Sequence, residues 1–275
     1  MKVMTLLENT AVSDDLRHAH GLSLYVETPT RKLLFDMGPN AGFLENAEKL
    51  GVDIAAVDMA FLSHGHYDHS GGMELFCKRN DHAKIVLHQD AFGDFWAVSP
   101  KGNTYIGIDP HFKKFADRFV FTHGQTVIDD GLQVFSDIVT GDYPSSANGT
   151  LREKIGDSYP PEDFRHEQNL LVTAEGKTLL LAGCAHRGIV NILRRSEAIL
   201  GRSPDVVCAG FHLYNPTTGA PEPRELIEAV GAELKARTGT VYYTGHCTGG
   251  EAFAILRESL GDRIQPLSGG RGFEI

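Results

Sequence analysis

Four side chains that can bind a metal ion stand within six residues of one another. They are three histidines and an aspartate, namely His64, His66, Asp68 and His69. Neutral imidazole and carboxylate groups are ligands that suit zinc, iron and manganese. In an extended segment His64 and His66 project to the same side, because side-chain direction repeats every two residues. The pattern predicts a metal site here, and such a cluster can hold two ions.

A predicted strand and a predicted helix enclose this cluster. The apolar run Val57 to Leu62, interrupted only by Asp58, precedes the cluster and is typical of a strand. A helix is predicted from Met73 through Cys77. The turn between the two elements can bring Asp68 and His69 back towards the preceding histidines. The four side chains are therefore expected to converge where the strand ends.

Two later strand ends offer further ligands. Leu179 to Gly183 runs into Cys184 and His186, and Tyr242 to Gly245 runs into His246. We predict His186 and His246 to be metal ligands, since a site for two ions needs more donors than the first cluster provides. Cys184 is a candidate ligand because a thiolate suits a soft metal. A small buried cysteine behind the site is an equally good interpretation of Cys184.

His212 stands at another predicted strand end, directly after Gly210 and Phe211. We interpret it as a catalytic residue that stabilises a developing negative charge or holds a phosphate; a packing histidine is the alternative. Four other histidines match no motif position and are interpreted as structural: His82, His88, His111 and His123.

Predicted strands and helices occur in two comparable halves of the chain. The predicted strands are Val3 to Leu7, Leu22 to Thr28, Lys32 to Asp36, Lys84 to His88, Arg118 to Thr122, Asn169 to Ala174, Lys177 to Ala182, Asp205 to Ala209 and Thr240 to Thr244. The further predicted helices are Ala41 to Leu50, Gly188 to Leu200, Pro223 to Ala236 and Gly250 to Leu260. A sandwich of two sheets covered by helices needs such a pattern, so we predict an α/β (α+β) fold in a single domain over residues 1–275.

Two stretches of the chain, 99–112 and 137–165, are predicted to be irregular loops, because they are rich in proline, glycine and small polar residues. Both also contain aromatic residues, among them Tyr105 and Tyr143. Long loops without structure of their own are usually functional or disordered. Because aromatic side chains favour packing, we expect the two stretches to wall a substrate pocket.

The run His64-Gly65-His66-Tyr67-Asp68-His69 resembles the His-x-His-x-Asp-His signature of the metallo-β-lactamase superfamily. Further runs resemble one branch of that superfamily: Asn9, His20-Gly21-Leu22-Ser23, Phe35-Asp36-Met37-Gly38, Asn46-Ala47-Glu48-Lys49-Leu50-Gly51, Gly183-Cys184-Ala185-His186, Gly210-Phe211-His212-Leu213 and Gly245-His246-Cys247-Thr248-Gly249. The resemblance covers nearly the whole chain. It implies a four-layer αββα sandwich and two divalent ions, with zinc expected first and manganese or iron as alternatives.

The resemblance also implies roles for particular residues. The implied ligand sets are His64, His66 and His186 for one metal, and Asp68, His69 and His246 for the other. Cys184 stands where the superfamily usually has an aspartate that bridges the metals. His166 lies roughly where another histidine ligand is usual, although its neighbours do not match that motif. Asp36 would orient the metal-binding loop, with a turn aspartate as the alternative.

A site of this kind predicts hydrolysis. A bound divalent metal lowers the pKa of its water to about 7 and polarises a carbonyl or phosphoryl oxygen. We predict a metal-dependent hydrolase of a small anionic ester, such as a phosphoester, in which Asp68 also positions the water. Three alternatives stay open: phosphoribosyl transfer to an aromatic acid in pterin cofactor synthesis, which the resembled branch implies; redox chemistry at a di-iron site; and metal binding without catalysis.

The composition is that of an ordinary globular chain, with 275 residues of which 41% are hydrophobic and 23% charged. A formal net charge of -10 argues against a nucleic-acid partner bound by a broad basic surface. We find no apolar run long enough for a membrane span or a signal peptide, so the expected location is the cytoplasm. The four cysteines form no CxxC pair, and free thiols or ligands are expected. The oligomeric state is left open.

Overall fold

Two seven-stranded β-sheets form the centre of the fold in the computed structural model, which describes residues 1–216 and 218–275. The strands, numbered in chain order, are β1 (Lys2–Leu7), β2 (Ser23–Glu27), β3 (Lys32–Phe35), β4 (Met59–Phe61), β5 (Lys84–His88), β6 (Phe95–Ser99), β7 (Gly102–Tyr105), β8 (Phe119–Thr122), β9 (Gln125–Asp129), β10 (Leu132–Phe135), β11 (Leu151–Glu153), β12 (Asn169–Ala174), β13 (Lys177–Leu181), β14 (Val206–Gly210), β15 (Tyr214–Asn215), β16 (Ala220–Pro221), β17 (Val241–Gly245), β18 (Ile264–Pro266) and β19 (Gly272–Glu274).

Six α-helices accompany the strands: α1 (Gly42–Lys49), α2 (Tyr67–Ser70), α3 (Met73–Arg79), α4 (Ile189–Leu200), α5 (Arg224–Ala236) and α6 (Gly250–Leu260). Five 3-10 segments complete the described elements: Ile54–Ala56, Pro110–Arg118, Ser146–Thr150, His246–Thr248 and Gly261–Arg263. None of the helices in the described part of the chain combines the length and the apolar character needed to cross a membrane.

The two large sheets place several strand ends at the same edge. The first sheet has the order β19-β1-β2-β3-β4-β5-β8, and the second has the order β18-β17-β14-β13-β12-β10-β9. Strands β3, β4, β5 and β8 pair in parallel, as do β13, β14, β17 and β18. The carboxyl ends of neighbouring parallel strands lie together. The segments that follow β4, β13, β14 and β17 are thereby brought towards one another.

The buried side chains divide into three layers of core, because successive side chains of a strand point to opposite faces. In β13, Leu179 and Leu181 pack between the two sheets, whereas Leu180 packs beneath the helices of the second half. On the outer face of the first sheet, Phe43 of α1 and Phe76 of α3 fill the third layer. The prediction of a four-layer αββα sandwich is confirmed, while the prediction of a single domain stays a prediction.

The largest difference from the predicted elements lies in the two stretches that were expected to be irregular. The stretch 99–112 contains β7 and the start of a 3-10 segment, and the stretch 137–165 contains another 3-10 segment and β11. Strands β11, β6 and β7 form a small separate sheet. The prediction of irregular loops was therefore wrong for these short elements, whereas the remainder of both stretches is irregular. Short edge strands with exposed polar residues, such as Gly102–Tyr105, lack the alternating apolar pattern that identifies a strand.

His88 makes the stability of this fold depend on pH. The side chain is buried at the end of β5, where its Nδ1 accepts a hydrogen bond from the Asp90 N–H at 3.2 Å. Burial lowers the pKa of His88 from 6.5 to about 4, despite the nearby Asp90 carboxylate. Between these two values the unfolded chain binds a proton that the folded chain does not, so stability falls as the pH falls through this window.

We expect His88→Gln to flatten the pH dependence of the unfolding free energy between these two pKa values. The slope should fall by up to about 1.4 kcal/mol per pH unit, which is the contribution of one proton. Urea unfolding at a series of pH values measures this slope, with the exposed His82→Gln as the matched control. Equal slopes for both variants would contradict the prediction.

Candidate metal centre

The strand ends that carry the candidate residues have strained backbone. Asp36, Ala185, His212 and His246 follow β3, β13, β14 and β17, and each has a φ between 50° and 59°. Residues other than glycine rarely adopt positive φ, and such strain is retained where the surrounding structure holds a residue in place. Here it marks four sharp turns that direct the chain into a common space between the sheet ends.

Four acceptor atoms converge at the first cluster, which consists of Asp68, His69, Cys184 and His246. The Nε2 atoms of His69 and His246 lie 3.2 Å apart, and the Cys184 sulphur lies 3.2 Å from each of them. Asp68 Oδ2 lies 3.6 Å from His69 Nε2 and 3.3 Å from His246 Nε2. Ligand atoms around a tetrahedral zinc ion lie about 3.3 to 3.8 Å apart, given bonds of 2.0 to 2.3 Å. The observed spacings fit such an ion.

A second cluster is formed by three imidazoles, two of which lie near the same cysteine. The rings of His64, His66 and His186 lie 4.6 to 5.0 Å from one another, measured between ring centres. His64, His186 and Cys184 together present ligand atoms within 4.8 Å of one another, and so do His64, His66 and Asp68. The Nε2 atoms of His64 and His186 are buried and have no hydrogen-bond partner within the described residues. Buried polar atoms without a partner are costly, which fits a role as metal ligands.

Asp36 and Ser63 fix the orientation of two of these imidazoles. Asp36 is fully buried; its Oδ2 lies 2.6 Å from His69 Nδ1 and accepts from the Ser63 hydroxyl at 2.8 Å. The Ser63 hydroxyl in turn lies 2.8 Å from His64 Nδ1. A carboxylate only accepts, so His69 donates to Asp36 through Nδ1. The Ser63 hydroxyl gives its proton to Asp36 and therefore accepts from His64 Nδ1. Both Nε2 lone pairs are left towards the centre. Asp36 therefore orients the loop, as expected from the sequence.

Asparagine side chains perform the same task for the two later histidines. Asn9 Oδ1 accepts from the Gly21 N–H at 3.2 Å and lies 2.9 Å from His246 Nδ1. Asn148 Oδ1 lies 3.0 Å from His186 Nδ1, while the Asn148 amide donates to the His186 carbonyl oxygen at 2.8 Å. Both histidines then donate through Nδ1, so that Nε2 is the ring atom that faces the clusters.

His66 has a different outer partner, a buried carboxylate that the sequence analysis did not identify. Glu162 lies 3.1 Å from His66 Nε2 and 2.6 Å from His166 Nε2. His166 Nδ1 accepts from the Gly65 N–H at 2.9 Å, so the proton of His166 is on Nε2. Glu162 accepts from both rings, which leaves Nδ1 of His66 for a metal. Both ring nitrogens of His166 are therefore engaged in hydrogen bonds.

Burial and charge set the protonation of the centre. Burial, together with the neighbouring imidazoles, holds the pKa of His64 and of His186 well below 6.5, so both rings are neutral. Burial alone would raise the pKa of Glu162, but the His66 and His166 rings outweigh it and lower the value to about 2. Burial opposes a charge on His246, yet Cys247 and Asp68 raise its pKa to about 9. The first cluster is thus an environment that stabilises a cation.

We expect Glu162→Gln to weaken metal binding without removing any metal ligand. The amide would meet two N–H donors with only one oxygen, so the orientation of His66 is lost. Substitution of such outer partners typically costs about 10- to 100-fold in metal affinity. Competition with a chromophoric chelator measures the affinity. The matched control is Glu74→Gln on α3, whose carboxylate meets surface lysines, and an affinity equal to that of this control would contradict the prediction.

A cavity of about 450 Å³ opens onto both clusters. Its floor includes Asp68, Cys184 and His246, and its walls are largely apolar. The two stretches that were predicted to wall a pocket do line this cavity, through Thr104, Tyr105, Ile106, Ala147, Thr150 and Leu151. No lysine or arginine occurs among the described residues that line it. Among the described lining residues, histidines are the side chains that can carry positive charge.

The structure brings together all six histidine and aspartate residues that the sequence predicted as ligands, and it adds Cys184 at the point where the two clusters meet. Their role in metal binding stays a prediction, as does a catalytic role for His212. Sequence reasoning missed the residues that orient the ligands: Glu8, Asn148, Glu162 and Glu167. These residues lie far along the chain from the histidines they contact, and no spacing pattern connects them.

The fold and the clusters define a metallo-β-lactamase-like protein, and comparison with known families agrees. Residues 18–246 match the model of the metallo-beta-lactamase superfamily. The chain belongs to this superfamily, which confirms the resemblance seen in the sequence.

Two proteins of Methanocaldococcus jannaschii are similar to this chain. The protein MJ0448 is 31% identical over 219 residues, which cover 77% of this chain and 79% of the relative. The enzyme 7,8-dihydropterin-6-methyl-4-(beta-D-ribofuranosyl)-aminobenzene-5'-phosphate synthase is 26% identical over 290 residues, covering 98% of this chain and 95% of the relative. The second of these places the chain near the branch that the sequence motifs resemble.

Solved structures share the fold. The crystal structure of Tm1679, described as a metal-dependent hydrolase of the beta-lactamase superfamily, has a TM-score of 0.81 and 24% identity, and the match covers 100% of this chain and 99% of that one. The Zn²⁺-bound PqqB of Methylobacterium extorquens has a TM-score of 0.56 and 12% identity, with both chains fully covered.

Proposed function

We propose that this chain is a metal-dependent hydrolase of a small anionic ester, with phosphoesters as the first substrate class to test. The observation that carries the proposal is the convergence of oriented acceptor atoms at the floor of the cavity. Five imidazoles have their remote nitrogens held by outer partners, and their free nitrogens meet Asp68 and the Cys184 sulphur. The name of the fold relative Tm1679 supports the same class of reaction.

The donor set fits two divalent ions, with zinc as the first choice. Imidazole and thiolate ligands suit zinc, and the spacing in the first cluster matches a tetrahedral ion. His64, His66 and His186 would hold one ion; Asp68, His69 and His246 would hold the other, with Cys184 next to both. When bound, divalent metal supplies an acidified water and a Lewis acid for the ester oxygen.

Side chains of this protein then orient the reactants and move the proton. Asp68 faces the cavity, and its Oδ2 lies within 3.6 Å of three imidazoles, so it can align the attacking water as well as bind metal. His20 Nε2 lies 3.4 Å from the same oxygen, and the His20 side chain is 45% exposed. A proton taken up by Asp68 can pass through His20 to solvent.

The cavity walls suit an apolar part of the substrate better than a charged part. Tyr67, Tyr105, Ile106 and Leu151 offer apolar and aromatic surface, which suits a flat apolar group. The lining residues within the described chain include no lysine or arginine, so the substrate charge is expected at the metals. A doubly charged phosphate bound away from the metals would have no cationic partner here. This disfavours phosphoribosyl transfer, which is otherwise supported by the similarity to the synthase.

The proposal is tested by metal reconstitution. We expect a strong chelator to abolish hydrolysis of aryl phosphoesters and related esters, and zinc or manganese to restore it once at least two ions are bound per chain. His246→Ala should lower kcat/KM by more than about 100-fold, because it removes a ligand rather than an outer partner. The exposed His123→Ala is the matched control. Metal-loaded protein that turns over none of these esters, or turnover that resists chelation, would overturn the proposal.

A further inference from the structure

A third group of side chains that could hold a metal ion lies beside the two clusters. Cys184, Cys247 and His212 present their sulphur and nitrogen atoms within 4.8 Å of one another. They follow three adjacent parallel strands, β13, β17 and β14. Neither Cys247 nor His212 belongs to the two ligand sets described above. The group shares only the Cys184 sulphur with them.

His212 has buried ring nitrogens without a hydrogen-bond partner among the described residues, as do two of the candidate metal ligands. Both ring nitrogens of His212 are buried, and neither has a hydrogen-bond partner in the described parts of the chain. The same holds for one nitrogen of His64 and one of His186. The side chain is 6% exposed, so two unsatisfied nitrogens are costly there. Because these nitrogens are shielded from solvent, a small cation suits them better than an anion of substrate size.

The backbone around this group brings the Cys247 thiol close to Cys184 and His212. The Cys247 thiol donates to the Cys184 carbonyl oxygen at 3.4 Å. A Cβ atom at Gly210 would lie 2.5 Å from the Cys247 sulphur, so this strand end accommodates the sulphur only with glycine. The Thr248 hydroxyl accepts from the Phe211 N–H at 2.9 Å and ties the turn of Cys247 to the turn of His212. Three backbone segments thus hold two sulphurs and an imidazole together.

We propose that Cys184, Cys247 and His212 form a third cation position, which takes a soft divalent metal such as Zn²⁺ or Cd²⁺. Two thiolates and one imidazole are a donor set found at catalytic zinc sites, where a fourth position stays open. All three residues line the cavity, so the open position faces it. A thiolate sulphur has several lone pairs, which lets Cys184 serve this ion and a neighbouring one. Soft thiolate ligands select zinc-like ions over magnesium or calcium.

The experiment is a Cd²⁺ titration of the metal-free, reduced full-length chain. Bound cadmium is counted by elemental analysis after dialysis, and thiolate ligation is followed by ultraviolet thiolate-to-metal absorption. We expect wild-type protein to bind one more ion than Cys247→Ser. The absorption at saturation should fall by about half or more in this variant, because the Cys247 thiolate is removed and the bond from Cys184 to the third ion is lost with that ion. Cys77→Ser, which alters a half-buried thiol on α3 outside all clusters, should match the wild type.

A second variant keeps the test decisive if Cys247→Ser does not fold, which circular dichroism of the metal-free protein reveals. His212→Gln leaves both thiols in place and should also bind one ion fewer, with its remaining thiolate absorption arising from Cys184. Stoichiometry and absorption equal to those of the wild type in the folded variants would overturn the third position. Ester hydrolysis is measured separately, so a failed cadmium result leaves the proposed reaction intact.

Discussion

Replacing Cys184 with alanine is expected to cost the protein both its metal and its activity. The sulphur lies 3.2 Å from His69 Nε2 and from His246 Nε2, and it stands within 4.8 Å of the ligand atoms of His64 and His186. Loss of a ligand next to both clusters should lower kcat/KM for the tested ester by more than about 100-fold. Elemental analysis should show fewer than two ions per chain.

The Cys184→Asp variant separates the ligand role from the chemistry of sulphur. A carboxylate can occupy the same point between the clusters, but it is a harder ligand than a thiolate. We expect this variant to keep two ions and to shift its preference from zinc towards manganese, by about 10-fold or more in the ratio of affinities. Competition between the two metals at fixed chelator concentration measures the shift.

Cys208→Ala is the matched control for the alanine variant. Cys208 is fully buried in β14, between the two sheets and outside the metal-binding clusters of the described residues. Its removal should lower the stability of the fold, as a cavity does, without releasing metal. If Cys184→Ala behaves in the same way, with lower stability and full metal content, then Cys184 is a packing residue and its proposed role as a ligand is wrong.

The sequence predicted the parts of this centre that are local in the chain. The spacing of His64, His66, Asp68 and His69 places four candidate ligands in one short segment, and a strand followed by glycine and histidine marks His246. Apolar runs identified the strands of the second half, and Asn169–Ala174 and Gly250–Leu260 have the predicted ends. These features depend on periodicity and on neighbouring residues, which a sequence displays directly.

The remainder of the centre depends on contacts between distant segments. Glu162 lies 96 positions from His66, with which it shares a hydrogen bond, and Asn148 lies 38 positions from His186. Their segment, 137–165, has no alternating apolar pattern, so neither its elements nor its side-chain directions could be predicted. The proximity of the free Cys184 and Cys247 thiols likewise arises from the register of β13, β14 and β17. The residues that orient the histidines can therefore be identified only once the two sheets are assembled.

The Asp36→Asn variant tests how strongly one buried carboxylate contributes to the stability of the fold and to the orientation of histidines in both clusters. Asp36 is fully buried and accepts three hydrogen bonds: from the Ser63 N–H at 2.7 Å, from the Ser63 hydroxyl at 2.8 Å and from His69 Nδ1 at 2.6 Å. An asparagine keeps one acceptor oxygen and presents an amide to the remaining donors. The expected cost is about 1 to 3 kcal/mol in unfolding free energy, from buried donors left without an acceptor.

The same substitution should weaken metal binding by about 10- to 100-fold, because the orientations of His64 and His69 both depend on this network. Urea unfolding of the metal-free protein and chelator competition of the loaded protein measure the two effects separately. Asp58→Asn is the matched control at the opposite end of β4, where an exposed carboxylate accepts from the Lys32 N–H at 2.7 Å. A loss of stability with unchanged metal affinity would make Asp36 a residue of the fold alone, whereas a loss of both places it in the metal centre.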